Sequence, residues 1–363
     1  MNLRWRHLAL AAIGVTALAV SACGGNTTKE SAPAAKNVSA QASATATVDP
    51  KAGWPKEFVL GYFGGDDAEA VLKRQDPFKK HLEAKLGMPV KLFTGTSYGA
   101  VIEAMRADRV DAMLVGPFAY VLAVQEAQAE ALGTYVSCPA SVKECVYDAK
   151  SLPSYQSVVF TKKGSGITKL EDFRGKGFNF VDPASASGHL APKTLLIKRG
   201  FDPDKEFKTV FAGSHPTSVL SVWNGKAPGG ATNEGNLLTL IASKQIEACM
   251  WADGQIGKPR TQEEIRKTFD ACPDGKIAIL DVTDPIPGTA FGIRQEMPET
   301  FKKAVKDALL GMKDQPELVG TLRYWYVDPH ESLGLKTLDA FYNPLRDIAK
   351  LLKLNLKELA EKG

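Results

Sequence analysis

The stretch that decides the reading of this chain is Asp182-Pro183-Ala184-Ser185-Ala186-Ser187-Gly188-His189. An apolar run, Phe178 to Val181, precedes it and reads as a buried strand, and His189 to Arg199 reads as a helix. The stretch is therefore a strand-to-helix junction made of small and hydroxyl-bearing residues. The first N–H groups of a helix lack partners inside it, and the helix dipole adds partial positive charge there. Such a junction is a ready anion site. Ser185 and Ser187 add hydroxyl donors, while Ala186 and Gly188 let an oxyanion approach the backbone. Helix capping by Ser185 or Ser187 explains the same residues without a ligand.

The same grammar recurs on both sides. Phe58 to Phe63 reads as a buried strand, followed by the loop Gly64 to Asp67 and a helix over 68–86 closed by Gly87. Val90 to Phe93 and Asp111 to Val115 read as further strands, each followed by a helix. After a strand at Ser157 to Thr161 the pattern restarts, with strands at 178–181, 209–211, 227–232 and 277–281 and helices between. From Pro298 onward the chain reads as largely helical. Repeated βα units of this size predict an α/β fold with mainly parallel sheets flanked by helices. Two such halves predict two lobes with a ligand cleft between them.

Three further runs lie after strands or at the junction of the halves, where open α/β sheets place ligands. In Ala212-Gly213-Ser214-His215-Pro216, His215 is a candidate donor to an anion, with a structural histidine as the alternative. In Gly95-Thr96-Ser97-Tyr98-Gly99, Tyr98 can offer its hydroxyl or pack in the core. Pro153-Ser154-Tyr155-Gln156-Ser157 spans the junction itself. Asp66 and Asp67 are either helix-capping residues or acceptors for a protonated oxyanion.

The N-terminus is an address. Arg4 and Arg6 precede an almost purely apolar run from Leu8 to Val20, too short to span a membrane. It ends Val20-Ser21-Ala22-Cys23-Gly24, which resembles the bacterial lipoprotein signal. That resemblance implies removal of residues 1–22, lipidation of Cys23 and a membrane anchor. Residues 24–53 are small and polar and read as a flexible tether. The remaining four cysteines are even in number in an oxidising compartment. Two local bridges, Cys138–Cys145 and Cys249–Cys272, are the economical choice among three pairings.

Composition narrows the classes. With 45 Lys and Arg against 41 Asp and Glu, the net charge is +4, falling to +2 once Arg4 and Arg6 leave. That balance argues against nucleic acid as a partner. No two cysteines stand in a Cys-x-x-Cys spacing, and no His/Asp cluster has metal-ligand spacing, so neither metal nor cofactor is expected.

Taken together, Tyr98-Gly99-Ala100-Val101-Ile102, Gly116-Pro117-Phe118-Ala119-Tyr120, Tyr155-Gln156-Ser157, Asp182 to Gly188, Ala212-Gly213-Ser214-His215 and Pro285-Ile286-Pro287-Gly288 resemble the phosphate/phosphite/phosphonate-binding proteins of ABC importers. These are a branch of the type II periplasmic binding proteins. The resemblance covers most of residues 57–330. It implies one lobe from 54–160 with 283–363 and a second from 161–282. It also implies that Tyr98 and Tyr155 contact a phosphorus oxyanion from opposite sides. Ser185, Ala186 and Ser187 would donate to it, and His215 would complete the cage. Aminoalkylphosphonate binders of this kind carry two acids for the ligand's amine. Glu234 stands near one of these positions, and Thr289 replaces the other, so the ligand set shifts toward phosphate, phosphite or an uncharged-tail phosphonate.

The expected function is therefore an extracytoplasmic, lipid-anchored, monomeric binding protein that delivers an oxyanion to a permease and its ATPase. A lipid-anchored sensor for a receptor kinase uses the same cage. A secreted serine hydrolase or phosphatase lacks its Gly-x-Ser-x-Gly elbow here, so no catalytic residue is expected.

Overall fold

The computed structural model describes residues 49–64, 67–138, 142–151 and 153–362. The signal, Cys23, the tether up to residue 48 and Asp66 lie outside the described residues. Among the described residues no helix is long and apolar enough to cross a membrane.

In chain order the strands are β1 (Phe58–Phe63), β2 (Val90–Gly95), β3 (Ala112–Leu114), β4 (Ala129–Ser137), β5 (Ser154–Tyr155), β6 (Ser157–Lys162), β7 (Gly177–Phe180), β8 (Lys208–Phe211), β9 (Gly229–Asn233), β10 (Ile277–Val282), β11 (Ile286–Pro287), β12 (Ala290–Arg294) and β13 (Tyr324–Val327). One sheet has the order β13-β4-β12-β3-β1-β2 and the other β10-β6-β9-β7-β8. In the first, β1 runs parallel to β2 and β3, while β12 is antiparallel to β3 and β4. The second repeats this plan, with β7 parallel to β8 and β9 and β6 antiparallel to β9 and β10.

In each sheet the strand laid down just after the chain has crossed from the other runs antiparallel to its neighbours, and in the first sheet β13 runs antiparallel to β4 as well. The sheets are therefore mixed, where the βα repeat alone implied mainly parallel ones. β6 pairs throughout with strands of the second sheet, so the chain enters that sheet at Ser157, ahead of the 160/161 boundary read from the sequence. The tail read as helical contains β13, which pairs with β4.

The two crossings meet each other. β5 and β11 form an antiparallel ribbon, Tyr155 opposite Ile286 and Ser154 opposite Pro287. The Gly288 N–H donates to Pro153 at 2.6 Å. A side chain at Gly288 would meet Tyr135 O at 2.6 Å, Thr134 Oγ1 at 2.8 Å and Pro153 O at 2.9 Å, so only glycine lets these segments cross. Gln156 Nε2 donates to Thr283 O at 2.6 Å, and the Ser157 N–H donates to Thr283 Oγ1 at 3.0 Å. The hinge is thus fixed by hydrogen bonds between its two strands.

Both faces of each sheet are covered. Phe58, Leu60 and Phe291 pack with Phe78, Phe301 and Leu309 on one face of the first sheet. In the second, Val158 and Phe160 join Val219 and Leu237, while the intervening Val159 joins Phe178, Phe180 and Leu196. This period of two, apolar on both faces, marks a sheet buried between helices. A third cluster bridges the lobes: Tyr98, Val101 and Phe118 of the first pack with Ala184, Ala186 and Leu190 of the second. The lobes therefore meet through packed apolar surface beside the deciding stretch.

Cys249 and Cys272 form a disulfide, with Cα atoms 5.7 Å apart. The second expected bridge is not formed: Cys138 and Cys145 are free thiols. Both lie in a small apolar cluster with Val136 and Trp325, and the Arg323 guanidinium approaches Cys138 Sγ at 3.9 Å. Burial and the neighbouring Cys138 push the Cys145 thiol up to about 12, so that thiol stays protonated in this setting.

Candidate functional site

The deciding stretch forms a turn of π-helix, Ala186–Leu190, that runs into the helix Ala191–Lys198. The wide turn is defined by Leu190 N–H to Ser185 O and Ala191 N–H to Ala186 O, each spanning five residues. Such turns are rare and gather at functional sites. Ser185 is the N-cap: its hydroxyl accepts from the Gly188 N–H at 2.9 Å. A Cβ on Gly188 would lie 2.3 Å from Val181 Cβ, so the turn folds flat against β7 only because residue 188 has no side chain.

Two tyrosines meet this turn. Tyr98 opens the helix Tyr98–Arg106 of the first lobe, and its ring stacks on Phe63 with centroids 4.4 Å apart. It packs in one buried cluster with Ala184 and Ala186 of the second lobe, and burial pushes its phenol well up. Tyr155 stands on the hinge strand β5 and packs against the same cluster, with burial again raising the phenol. The Ser187 carbonyl accepts from Ser157 Oγ at 2.5 Å, which ties the turn to β6. Tyr98, Tyr155, Ser185, Ala186 and Ser187 are thus brought together from first lobe, hinge and second lobe.

His215 opens the helix His215–Trp223 of the second lobe. Its Nδ1 lies 3.0 Å from Thr232 Oγ1, which also accepts from Asn236 Nδ2 at 3.1 Å. Desolvation lowers its pKa to about 4, so the ring is neutral at pH 7. With Thr232 donating to Nδ1, the ring proton sits on Nε2, leaving that nitrogen a neutral donor.

The three secondary candidates have other partners. Glu234 is fully buried, and its carboxylate accepts from Trp251 Nε1 at 2.6 Å and from the Gly257 N–H at 2.8 Å. Burial raises its pKa. It is committed to holding the loop that carries Trp251, whose ring lies under the Arg260 guanidinium at 4.8 Å. The Thr289 carbonyl accepts from the Tyr135 N–H at 3.0 Å. Asp67 caps its helix by accepting from the Ala70 N–H at 2.8 Å, the capping role weighed for it from sequence.

Asp182 was quoted with the deciding stretch but given no role there. It is 4% exposed and accepts from the Ala184 N–H at 2.7 Å. The signal for it was its place at the end of a strand, two residues before a backbone donor it can cap. Among the described residues no group of His, Cys, Asp and Glu is arranged to hold a metal ion. The site is therefore a set of neutral donors, namely phenols, serine hydroxyls, helix-start N–H groups and an imidazole, with no cation among them. That set suits an oxyanion.

Residues 60–332 match the family model described as ABC transporter, phosphonate, periplasmic substrate-binding protein. The chain is 30% identical over 293 residues to the phosphate-import protein PhnD of Mycolicibacterium smegmatis, covering 74% of this chain and 83% of that one. It is 24% identical over 266 residues to the phosphonates-binding periplasmic protein of Escherichia coli, covering 72% and 68% of the two chains.

Among solved structures, a binding protein component of an ABC phosphonate transporter from Pseudomonas aeruginosa superposes with a TM-score of 0.58 at 23% identity, covering 84% of this chain and 92% of that one. PhnD1 from Prochlorococcus marinus, in complex with methylphosphonate, gives 0.60 at 16% identity, covering 84% and 99%. The two-lobed α/β architecture is that of the type II periplasmic binding proteins. The chain belongs to the phosphonate periplasmic substrate-binding family, the extracytoplasmic component of bacterial ABC importers.

Proposed function

We propose that this protein closes its two lobes on a phosphorus oxyanion that carries no cationic tail (phosphate, phosphite or a simple alkylphosphonate) and hands it to a membrane permease driven by a partner ATPase. The observation that carries the reading is the convergence of Tyr98 from the first lobe, Tyr155 from the hinge and Ala186 from the second lobe in one apolar cluster at the helix start capped by Ser185. In this reading Tyr98 and Tyr155 flank the anion, Ser185, Ala186 and Ser187 donate to it, and the neutral His215 adds a further donor. Selectivity follows from matching: a buried donor left without an acceptor costs about 1–3 kcal/mol.

The absence of a cationic tail follows from Glu234 and Thr289. Both carboxylate oxygens of Glu234 are taken by Trp251 and Gly257, and Thr289 offers a hydroxyl where an acid would serve an amine. The lobes are the two sheets with their helices, joined at the β5–β11 ribbon. Cys23 is the lipid attachment point, which keeps a monomeric protein beside its permease.

The experiment is a calorimetric comparison of methylphosphonate with 2-aminoethylphosphonate. This reading expects the simple phosphonate to bind at least as tightly as the amino form. A tenfold or greater preference for the amino form overturns it. Radiolabelled fatty-acid incorporation that is lost in Cys23→Ala tests the anchor, and equal incorporation in both removes it.

A further inference from the structure

The hinge strand β5 is two residues long, Ser154–Tyr155, and its ladder partner is β11. A two-stranded ribbon is marginal by itself. A second support comes from the loop 249–261 of the second lobe. Gly257 on that loop has φ 65°, and a Cβ there would lie 3.1 Å from Ser154 O and 3.7 Å from Tyr155 Cα. The loop backbone therefore lies directly on the backbone that carries Tyr155, in a conformation and at a distance that suit glycine.

Glu234 ties the loop to the hinge. It opens the helix Glu234–Ala242 and is fully buried. Its N–H donates to Gln156 O at 3.2 Å, one residue beyond Tyr155. Its carboxylate accepts from the Gly257 N–H at 2.8 Å and from Trp251 Nε1 at 2.6 Å. One residue thus grips the hinge through its backbone and the loop through its side chain. The loop is also closed on itself. Arg260 donates to both Asp253 carboxylate oxygens at 2.8 Å and to Gln255 O at 2.7 Å, while its guanidinium covers the Trp251 ring. The Cys249–Cys272 bridge fastens the base of the loop to the end of the helix Gln262–Ala271.

We propose that Glu234 is a positioning residue for ligand capture: its carboxylate clamps Gly257 and Trp251 against the hinge, and the clamp fixes the direction of the Tyr155 hydroxyl in the cleft. The clamp rests on the reading of Tyr155 as a donor to a phosphorus oxyanion. A donor selects its ligand only when the residues behind it hold it within a fraction of an ångström of the productive geometry. β11 supplies one such support to Tyr155, and the clamped loop supplies the other. Glu234 therefore acts on the ligand through Tyr155, without touching it.

The test is a double-mutant cycle read by titration calorimetry of the full chain with methylphosphonate. Glu234→Gln keeps the shape of the side chain but leaves it one accepting oxygen, so one of the two loop contacts is lost. The expected loss of affinity is about tenfold in the wild-type background and less than about twofold in a Tyr155→Phe background. Equal losses in the two backgrounds, or no loss in either, overturn the clamp and leave the oxyanion site standing. Undiminished binding by Tyr155→Phe alone removes Tyr155 from the site and overturns the clamp as well. No binding of methylphosphonate, phosphite or phosphate by the folded wild type overturns the oxyanion reading and the clamp with it. Because Glu234→Gln alters a buried cluster, Trp251→Phe is carried through the same cycle. It removes the indole donor and keeps a ring beneath Arg260, and its loss of affinity is likewise confined to the background that carries Tyr155. A lowered melting temperature with unchanged methylphosphonate affinity assigns Glu234 to folding alone and overturns the clamp.

Discussion

Tyr98, on the first lobe, shares one buried cluster with Ala186, on the second, beside the helix cap Ser185. Each residue has a separate local reason for being where it is. Ser185 caps the π-turn, and Tyr98 is stacked on Phe63 at the start of its helix. Two independently built helix starts thus meet at one seam.

Tyr98→Phe separates the hydroxyl from the ring. The ring still stacks on Phe63, so the melting temperature should move little. Loss of a buried hydroxyl donor should weaken methylphosphonate or phosphite binding by roughly 10- to 100-fold. Calorimetry beside a thermal melt reads both effects, and unchanged affinity would remove Tyr98 from the site.

Gly188→Ala tests the turn itself. The new Cβ would meet Val181 Cβ at 2.3 Å, and neither backbone can yield without opening the junction. The expected loss is about 2 kcal/mol or more of stability, together with loss of ligand binding. Urea denaturation checks the first and calorimetry the second.

His189 gives a signed pH prediction. Its Nδ1 lies 2.9 Å from Pro183 O, and burial lowers its pKa to about 4. A base whose folded pKa lies below its unfolded value of about 6.5 is neutral in the fold. Its contribution to stability is present above pH 6.5 and is lost as pH falls toward 4. Wild type should therefore lose stability relative to His189→Gln across that window, as read by urea midpoints at pH 7, 5.5 and 4.5. Parallel curves would sink the assignment.

The Cys249–Cys272 bridge closes a separation of 23 residues, which constrains the unfolded chain by about 2–4 kcal/mol. Cys249→Ser should lower the urea midpoint accordingly. A non-reduced peptide digest should contain that pair linked, with Cys138 and Cys145 alkylated after denaturation. A Cys138–Cys145 peptide would show that the second bridge forms after all.

Much of this was legible before any coordinates. Strongly periodic segments stood where expected: the helix Ala68–Leu86 ends at Gly87 in a left-handed conformation, φ 61°. The strand-turn-helix junctions at Ser185 and His215 followed from small residues and hydroxyls placed after apolar runs. The missed strands share a physical reason. β4, Ala129–Ser137, mixes Ala, Glu and Gly with few β-branched residues, and its state is decided by β12 and β13 on either side. β13, Tyr324-Trp325-Tyr326-Val327, is aromatic and strand-like in composition but short, and helices flank it.

Asp182 carries no role in the sequence pattern, because the burial that isolates its carboxylate and the turn it closes with Ala184 exist only in the folded chain. Glu234 illustrates the converse: its position suggested a ligand contact, and only the packing of Trp251 and Gly257 reveals that its oxygens are already occupied.

The most direct test of the oxyanion cleft is titration calorimetry of the ligand-stripped chain with phosphate, phosphite and methylphosphonate. The expected result is one-to-one binding of at least one of the three, weakened at least tenfold in Ser187→Ala. Absence of binding to all three by a folded, stripped protein would contradict it.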